Sequence, residues 1–137
     1  MAEGKLLLEI VTPHGLIFSE EVGEVTANGS EGEFCVLPGH APYVTTLKVG
    51  MLVAKKAGES KYFFVNWGYA EIGSNKVLVL ADSAERSDEI DVERAKEAMK
   101  RAEERLKKAE DIDFHRAEAS LERAATRIQV AQLKIPK

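Results

Sequence analysis

The chain has 137 residues, 45% of them apolar, with a formal net charge of -4 and one cysteine. That apolar share supports a packed core and argues against wholesale disorder, and no apolar run approaches the roughly 18–20 residues that span a bilayer. An acidic chain with no basic tract is poorly suited to nucleic acid as its main partner.

The opening Met1-Ala2-Glu3-Gly4-Lys5 has neither the basic stretch nor the apolar segment of a secretion signal. A cytoplasmic location is therefore expected, with membrane association only through a partner. Cys35 has no second cysteine to pair with, which fits a reducing compartment. Lying in Phe34-Cys35-Val36-Leu37, it is expected to be a buried structural thiol. Residues 1–87 hold 7 Lys and Arg against 11 Asp and Glu, whereas residues 88–137 hold 12 of each. The acidic excess therefore belongs to the first part, and the second is neutral but densely charged.

In chain order, the first part predicts short strands at Leu6–Val11, Leu16–Phe18, Val22–Ala27, Glu33–Leu37, Tyr43–Leu47, Met51–Lys55, Lys61–Asn66, Tyr69–Ile72 and Lys76–Leu80. Turn residues separate them: Thr12-Pro13-His14-Gly15, Asn28-Gly29, Pro38-Gly39-His40, Lys48-Val49-Gly50 and Gly73-Ser74-Asn75. Many closely spaced strands, with no room for a crossover helix, point to an antiparallel sandwich or barrel.

After Ser87-Asp88-Glu89-Ile90 glycine disappears, and Ala, Glu, Lys and Arg dominate. Val92, Ala95, Met99, Ala102, Leu106 and Ala109 follow the 3-4 spacing of a helix that packs along its length. A break is expected at Glu110-Asp111-Ile112, with Asp113 as the next N-cap. Phe114, Ala117, Leu121, Ala124, Ile128 and Ala131 repeat the spacing, and Pro136 closes the tail. Folded antiparallel, the stripes pair Ala109 with Phe114, Leu106 with Ala117, Ala102 with Leu121, Met99 with Ala124, Ala95 with Ile128 and Val92 with Ala131. Every large side chain meets an alanine, so the backbones can approach closely. A seam that is half alanine buries little apolar area, so an isolated hairpin of this size is expected to be marginal and to open when a partner offers a better surface.

In the same heptad frame Arg94, Arg101, Arg116 and Arg123 share one position, with Arg105, Arg127 and Asp91 beside it. Six of the seven arginines therefore line one side of the hairpin. Two readings are open. One is a solvated face tied by ion pairs such as Asp91–Arg94, worth a few tenths of a kcal/mol each. The other is a phosphate or carboxylate site built from guanidinium forks. Catalytic patterns are absent: there is no phosphate-binding Gly-rich loop with its Lys, no serine elbow and no Cys–His pair. His14, His40 and His115 lack metal-ligand spacing. His40 lies in a turn and is expected to make a structural hydrogen bond, and Glu20-Glu21 reads as an ordinary solvated edge.

Gly29-Ser30-Glu31-Gly32-Glu33-Phe34 and Leu37-Pro38-Gly39-His40-Ala41-Pro42-Tyr43 closely resemble the β-domain of the epsilon subunit of F-type ATP synthases. Val77-Leu78-Val79-Leu80-Ala81-Asp82, Ala84-Glu85-Arg86 and Ile90-Asp91-Val92-Glu93-Arg94-Ala95 continue the likeness in order, over essentially the whole chain. Asn66-Trp67-Gly68 departs from it, since that family often has small residues and paired glycines there.

The resemblance implies two domains: an antiparallel β-sandwich of about ten strands over 1–87, and an antiparallel two-helix hairpin over 88–137. It implies a non-catalytic central-stalk subunit that clamps the gamma subunit and rests on the c ring, beside the alpha and beta subunits. Glu31, Glu33 and His40 are the expected partner contacts. It also implies a peripheral place on the cytoplasmic side of the bacterial inner membrane, and a hairpin that can unfold along gamma to restrain ATP hydrolysis. In some bacterial members the folded hairpin binds ATP. Glu85, Asp91, Arg94, Arg101, Arg123 and Arg127 match the residue types of that site, so ATP is expected as a regulatory ligand, with no required cofactor and no metal. A free-standing nucleotide-sensing module and a structural adaptor that never opens are the alternatives.

Overall fold

The computed structural model describes residues 5–108 and 111–133, and of 111–113 the backbone alone. The first strand, β1 (Leu6–Thr12), buries every second residue: Leu6, Leu8, Ile10 and Thr12 point inward. The period of two places alternate side chains on opposite faces. β2 (Gly15–Val22), β3 (Glu24–Gly29), β4 (Gly32–Val36), β5 (Tyr43–Leu47) and β6 (Gly50–Lys56) follow, then two long strands, β7 (Glu59–Gly73) and β8 (Lys76–Arg86). A 3₁₀ turn at Ser87–Glu89 leads into α1 (Val92–Lys108) and α2 (Asp111–Gln132).

Eight strands stand where about ten were expected, and the difference lies in β7 and β8. The segments Lys61–Asn66 and Tyr69–Ile72 join into the single 15-residue β7. Its first half, Glu59–Val65, pairs with β6, and its second half, Gly68–Ile72, pairs with β5. β8 pairs with it from Phe63 to Gly73. The two long strands thus serve both halves of the sandwich, with the corner at Trp67-Gly68. Asn28 and Gly29 likewise end β3 instead of forming a turn, and the reversal falls at Ser30-Glu31.

The sheet runs β2-β1-β8-β7-β5-β3-β4, with β6 against β3 and β7. It is mixed, since β1 lies parallel to β8 while the other pairs are antiparallel. Parallel neighbours need a long connection; here the whole intervening domain supplies it, without a crossover helix. Between the layers sit Leu6, Leu8, Ile10, Phe18, Val25, Val36, Leu52, Phe63, Ile72, Val77 and Val79, all nearly inaccessible.

Cys35 is exposed, contrary to the expectation from its apolar run. β4 is an edge strand in which Val36 faces the core opposite Val25, so its neighbour Cys35 must face outward. Alternation overrides local hydrophobicity.

The hairpin forms, with α1 and α2 in contact along their lengths. The described seam alanines, Ala95, Ala102, Ala117, Ala124 and Ala131, are all buried. Their large counterparts Val92, Met99, Leu106, Leu121 and Ile128 are only half-buried, and Phe114 is exposed. α2 begins at Asp111, so Asp113 lies within it rather than capping it. Ala109 of the expected Ala109–Phe114 pair, Glu110 of the expected break, Pro136 and the Asp113 side chain lie outside the described residues.

The corner gives a sharp prediction. Trp67 has φ +50°, Gly68 has φ +146°, and a Cβ on Gly68 would overlap the Leu80 carbonyl oxygen and lie 2.7 Å from Ala81 Cα. Gly68→Ala is expected to lose at least about 2 kcal/mol in urea unfolding. Gly73→Ala, where a Cβ meets nothing within 4 Å, is expected to stay within about 1 kcal/mol of wild type.

Candidate functional site

β7 places consecutive phenylalanines on opposite faces. Phe63 points into the sandwich, and Phe64 points out beneath the hairpin. On that outer face Met51 of β6, Phe64 of β7 and Glu85 of β8 stand side by side in register. Over this row lies the C-terminal end of α2, where Arg127, Val130 and Ala131 follow helical i, i+3, i+4 spacing. Val130 and Ala131 pack with Val49, Phe64 and Ile90 in a small second core, edged by Met51, Tyr62 and Val92.

Arg127 joins the two parts through polar contacts. Its Nε donates to Glu85 Oε1 at 2.6 Å, and its guanidinium carbon lies 4.4 Å from the Phe64 ring centroid. The side chains of Arg127 and Glu85 are 31% and 36% exposed. That is shielded enough to make the pair stronger than a surface ion pair, yet still partly screened.

The other expected site residues are placed as follows. Asp91 caps α1: its Oδ1 accepts the Arg94 backbone N–H at 3.0 Å, and its carbonyl accepts the first helical bond from Ala95. The expected Asp91–Arg94 ion pair is therefore a backbone cap, because a residue just before a helix reaches the free amides of its first turn. The Arg123 Nη2 donates to Ser120 Oγ at 3.2 Å. Arg94 and Arg101 are exposed, and their side chains make no salt bridge among the described residues. So Glu85 and Arg127 are brought together, Asp91 and Arg94 meet through the backbone, and Arg101 and Arg123 make no hydrogen bond or salt bridge to either pair among the described residues.

Phe64, Ile90 and Val130 were not among the expected site residues. Val130 was legible, since Arg116, Arg123 and Val130 are seven residues apart. An apolar residue at an arginine position marks where the stripe leaves solvent and docks. Among the described residues, no group of three His, Cys, Asp or Glu side chains could hold a metal. A cavity of about 230 Å³ on the other side of β7 is lined by Phe18, Lys61, Arg86 and Asp88 but by none of the expected residues. Its Lys61 is paired with Glu20 at 3.1 Å.

Two further surfaces bear on partners. Thr46, Tyr69, Leu80, Val11 and Leu16 form one cross-strand row over β5, β7, β8, β1 and β2. Leu16, Tyr69 and neighbouring Trp67 and Val44 are exposed large side chains. At another edge, Phe34 and Tyr43 pack edge-to-face at 5.8 Å, and His40 sits 6.3 Å from Tyr43. Glu33 is exposed beside Phe34, and Glu31 is exposed in the β3–β4 turn. His40 makes the expected structural hydrogen bonds: its backbone N–H donates to the Leu37 carbonyl, and its Nδ1 lies 2.6 Å from the Ala41 carbonyl. No described helix is long and apolar enough to cross a membrane.

A β-sandwich carrying a docked two-helix hairpin defines a recurrent two-part architecture. Residues 5–87 match the family model described as the ATP synthase Delta/Epsilon chain beta-sandwich domain. Residues 88–132 match its long alpha-helix domain. The chain belongs to the ATP synthase delta/epsilon chain family. The ATP synthase epsilon chain of Geotalea uraniireducens is 58% identical over 108 residues, covering 79% of this chain and 78% of the relative. That of Geobacter sulfurreducens is 57% identical over the same shares. A chain from the cryo-EM structure of the Euglena gracilis mitochondrial ATP synthase OSCP/F1/c-ring shares the fold. It has TM-score 0.81 at 23% identity, over 92% of this chain and 81% of that one. A chain from the Tetrahymena thermophila mitochondrial ATP synthase central stalk and c ring is similar at TM-score 0.60 and 12% identity, over 96% and 97%.

Loss of the α1 cap is measurable. Asp91→Ala is expected to lower hairpin stability by about 1 kcal/mol, whereas Asp91→Asn keeps the acceptor and most of the stability. Helical circular dichroism during melting distinguishes the two.

Proposed function

We propose that the chain is the non-catalytic epsilon subunit of the central stalk of a bacterial F-type ATP synthase, coupling proton translocation to ATP synthesis. In this reading it is peripheral on the cytoplasmic side of the inner membrane and is held there by the complex. The sandwich docks on the gamma subunit and the c ring below the alpha and beta subunits, and the hairpin moves to restrain ATP hydrolysis. The observation that carries this reading is the hairpin's attachment. Its seam buries alanines while leaving the large residues half-exposed, and it is held to the sandwich through a small cluster at one end of α2. A helix pair so thinly held can exchange its contacts for a longer surface on a partner. The exposed Leu16, Val44, Trp67 and Tyr69 support protein docking by the sandwich, because contiguous apolar surface on a monomer is commonly an interface. Glu31, Glu33 and His40 are proposed as the contacts at the Phe34–Tyr43 edge.

ATP is the proposed regulatory ligand of the closed hairpin. Arg94 comes from α1, and Arg123 and Arg127 come from α2, so a phosphate chain held among them bridges the helices. A ligand that binds the closed form alone stabilises it by RT ln(1 + [L]/Kd). Glu85 or Asp91 would accept hydrogen bonds from the adenine amino group or the ribose. No phosphate-binding Gly-rich loop is present in the sequence, and hydrolysis is not expected.

The decisive experiment is calorimetry of the isolated protein with millimolar ATP. Wild type is expected to bind without turnover, and Arg127→Ala to bind more weakly by about 1.5–3 kcal/mol. No heat and no rise in the hairpin melting temperature would reduce the arginine side to a solvated face. Domain independence is tested separately. A chain ending at Ser87 is expected to unfold cooperatively and still co-purify with a gamma-type coiled-coil subunit. Loss of cooperativity would show that Val130 and Ala131 complete the sandwich, and loss of gamma binding alone would favour a free-standing module.

A further inference from the structure

The row Met51, Phe64, Glu85 runs across three strands and lies under the end of α2, where Val130 and Ala131 cover Phe64 and Arg127 reaches Glu85. Among the described residues of α2, Arg127 meets this row with both a charge and a ring contact: Nε on the Glu85 carboxylate at 2.6 Å, and the guanidinium carbon 4.4 Å from the Phe64 centroid. The contact spans 42 residues of sequence. It therefore ties the last two turns of α2 to the sandwich rather than to its own helix. Phe64 is fully buried although it points away from the sandwich core, so its cover is the hairpin end itself. α1, by contrast, is tethered by the chain through the 3₁₀ turn at Ser87–Glu89 and capped by Asp91. Lifting the C-terminal end of α2 off the sandwich breaks the Arg127 contacts and uncovers Phe64.

We infer that Phe64 and Glu85 form a built seat for Arg127, a latch that holds the hairpin on the sandwich without any nucleotide. Glu85 and Phe64 are positioning residues: they hold the guanidinium on the sandwich side. Glu85 supplies the charge partner for Nε, and Phe64 supplies a ring over which the guanidinium lies. A lysine there keeps the charge and can lie over a ring, as Lys61 does with Glu20 and Phe18, but it lacks the delocalised guanidinium that reaches carboxylate and ring at once, so it holds the seat more weakly. This inference rests on the proposed hairpin movement for its consequence in the enzyme, but not for its existence in the isolated chain.

The test is native-state hydrogen exchange on the full chain in nucleotide-free buffer, read at the amides of residues 124–131. Glu85→Gln and Arg127→Gln are each expected to speed exchange there by about tenfold, as loss of a partly screened charge-assisted contact allows. The double variant is expected to exchange no faster than the faster single variant, because both remove the same contact. Arg127→Lys should fall between wild type and Arg127→Gln. Unchanged melting of the β-domain confirms that the sandwich remains folded in each variant. Exchange unaltered by Glu85→Gln, or single effects that simply add, overturns the latch and leaves the pair an incidental contact. Measuring ATP hydrolysis by the assembled enzyme then separates the two ideas. If exchange quickens while hydrolysis stays constant, the latch stands and hairpin movement does not control turnover.

Discussion

Two adjacent phenylalanines couple the parts of this molecule. A strand sends consecutive side chains to opposite faces, so Phe63 and Phe64 cannot share a core. Phe63 packs edge-to-face on Phe18 at 4.9 Å within the sandwich. Phe64 emerges on the far face, where burial is worth about 1.5–3 kcal/mol only if something covers it. The end of α2 is that cover. The hairpin is thus positioned by a side chain belonging to the sandwich, and the strength of its attachment scales with one small patch. Val130, Ala131 and Ile90 complete the patch, while Arg127 closes its edge towards Glu85.

The same strand sets the shape of the sandwich. β7 crosses from one half to the other at Trp67-Gly68, and the register with β8 is the same on both sides of the corner. Gly68 lies so close to the β8 backbone that no side chain fits, and Trp67 takes a left-handed backbone conformation that turns its indole outward. Asn66-Trp67-Gly68 thus carries an exposed ring at the corner while the pairing with β8 stays in register. That ring stands near the exposed Tyr69.

The arginine side shows how a pattern acquires chemistry from its surroundings. Heptad spacing places six arginines on one flank and treats them as equivalent. In the folded chain they differ: Arg94 and Arg101 are exposed, Arg123 meets Ser120 on its own helix, and Arg127 is held by the sandwich. The feature that separates Arg127 from the others is its place one turn before Val130, at the point where α2 reaches Phe64. Asp91 has a comparable history. Its spacing from Arg94 suits an ion pair, but its position just outside α1 makes the amide of Arg94 the nearer partner.

The division into a strand-rich part and a glycine-free helical part, the approximate position of nearly every element, and the alanine seam are legible in the sequence. These depend on local periodicity and turn chemistry, which are written in neighbouring residues. Tertiary structure alone decided that β7 and β8 continue through a corner, that β1 lies parallel to β8, and that Cys35 faces outward on an edge strand. It alone chose Arg127 as the arginine joined to Glu85. Each of these depends on which strands or helix ends become neighbours across dozens of residues, and the period of two or of 3.6 along one segment carries no record of what lies across from it.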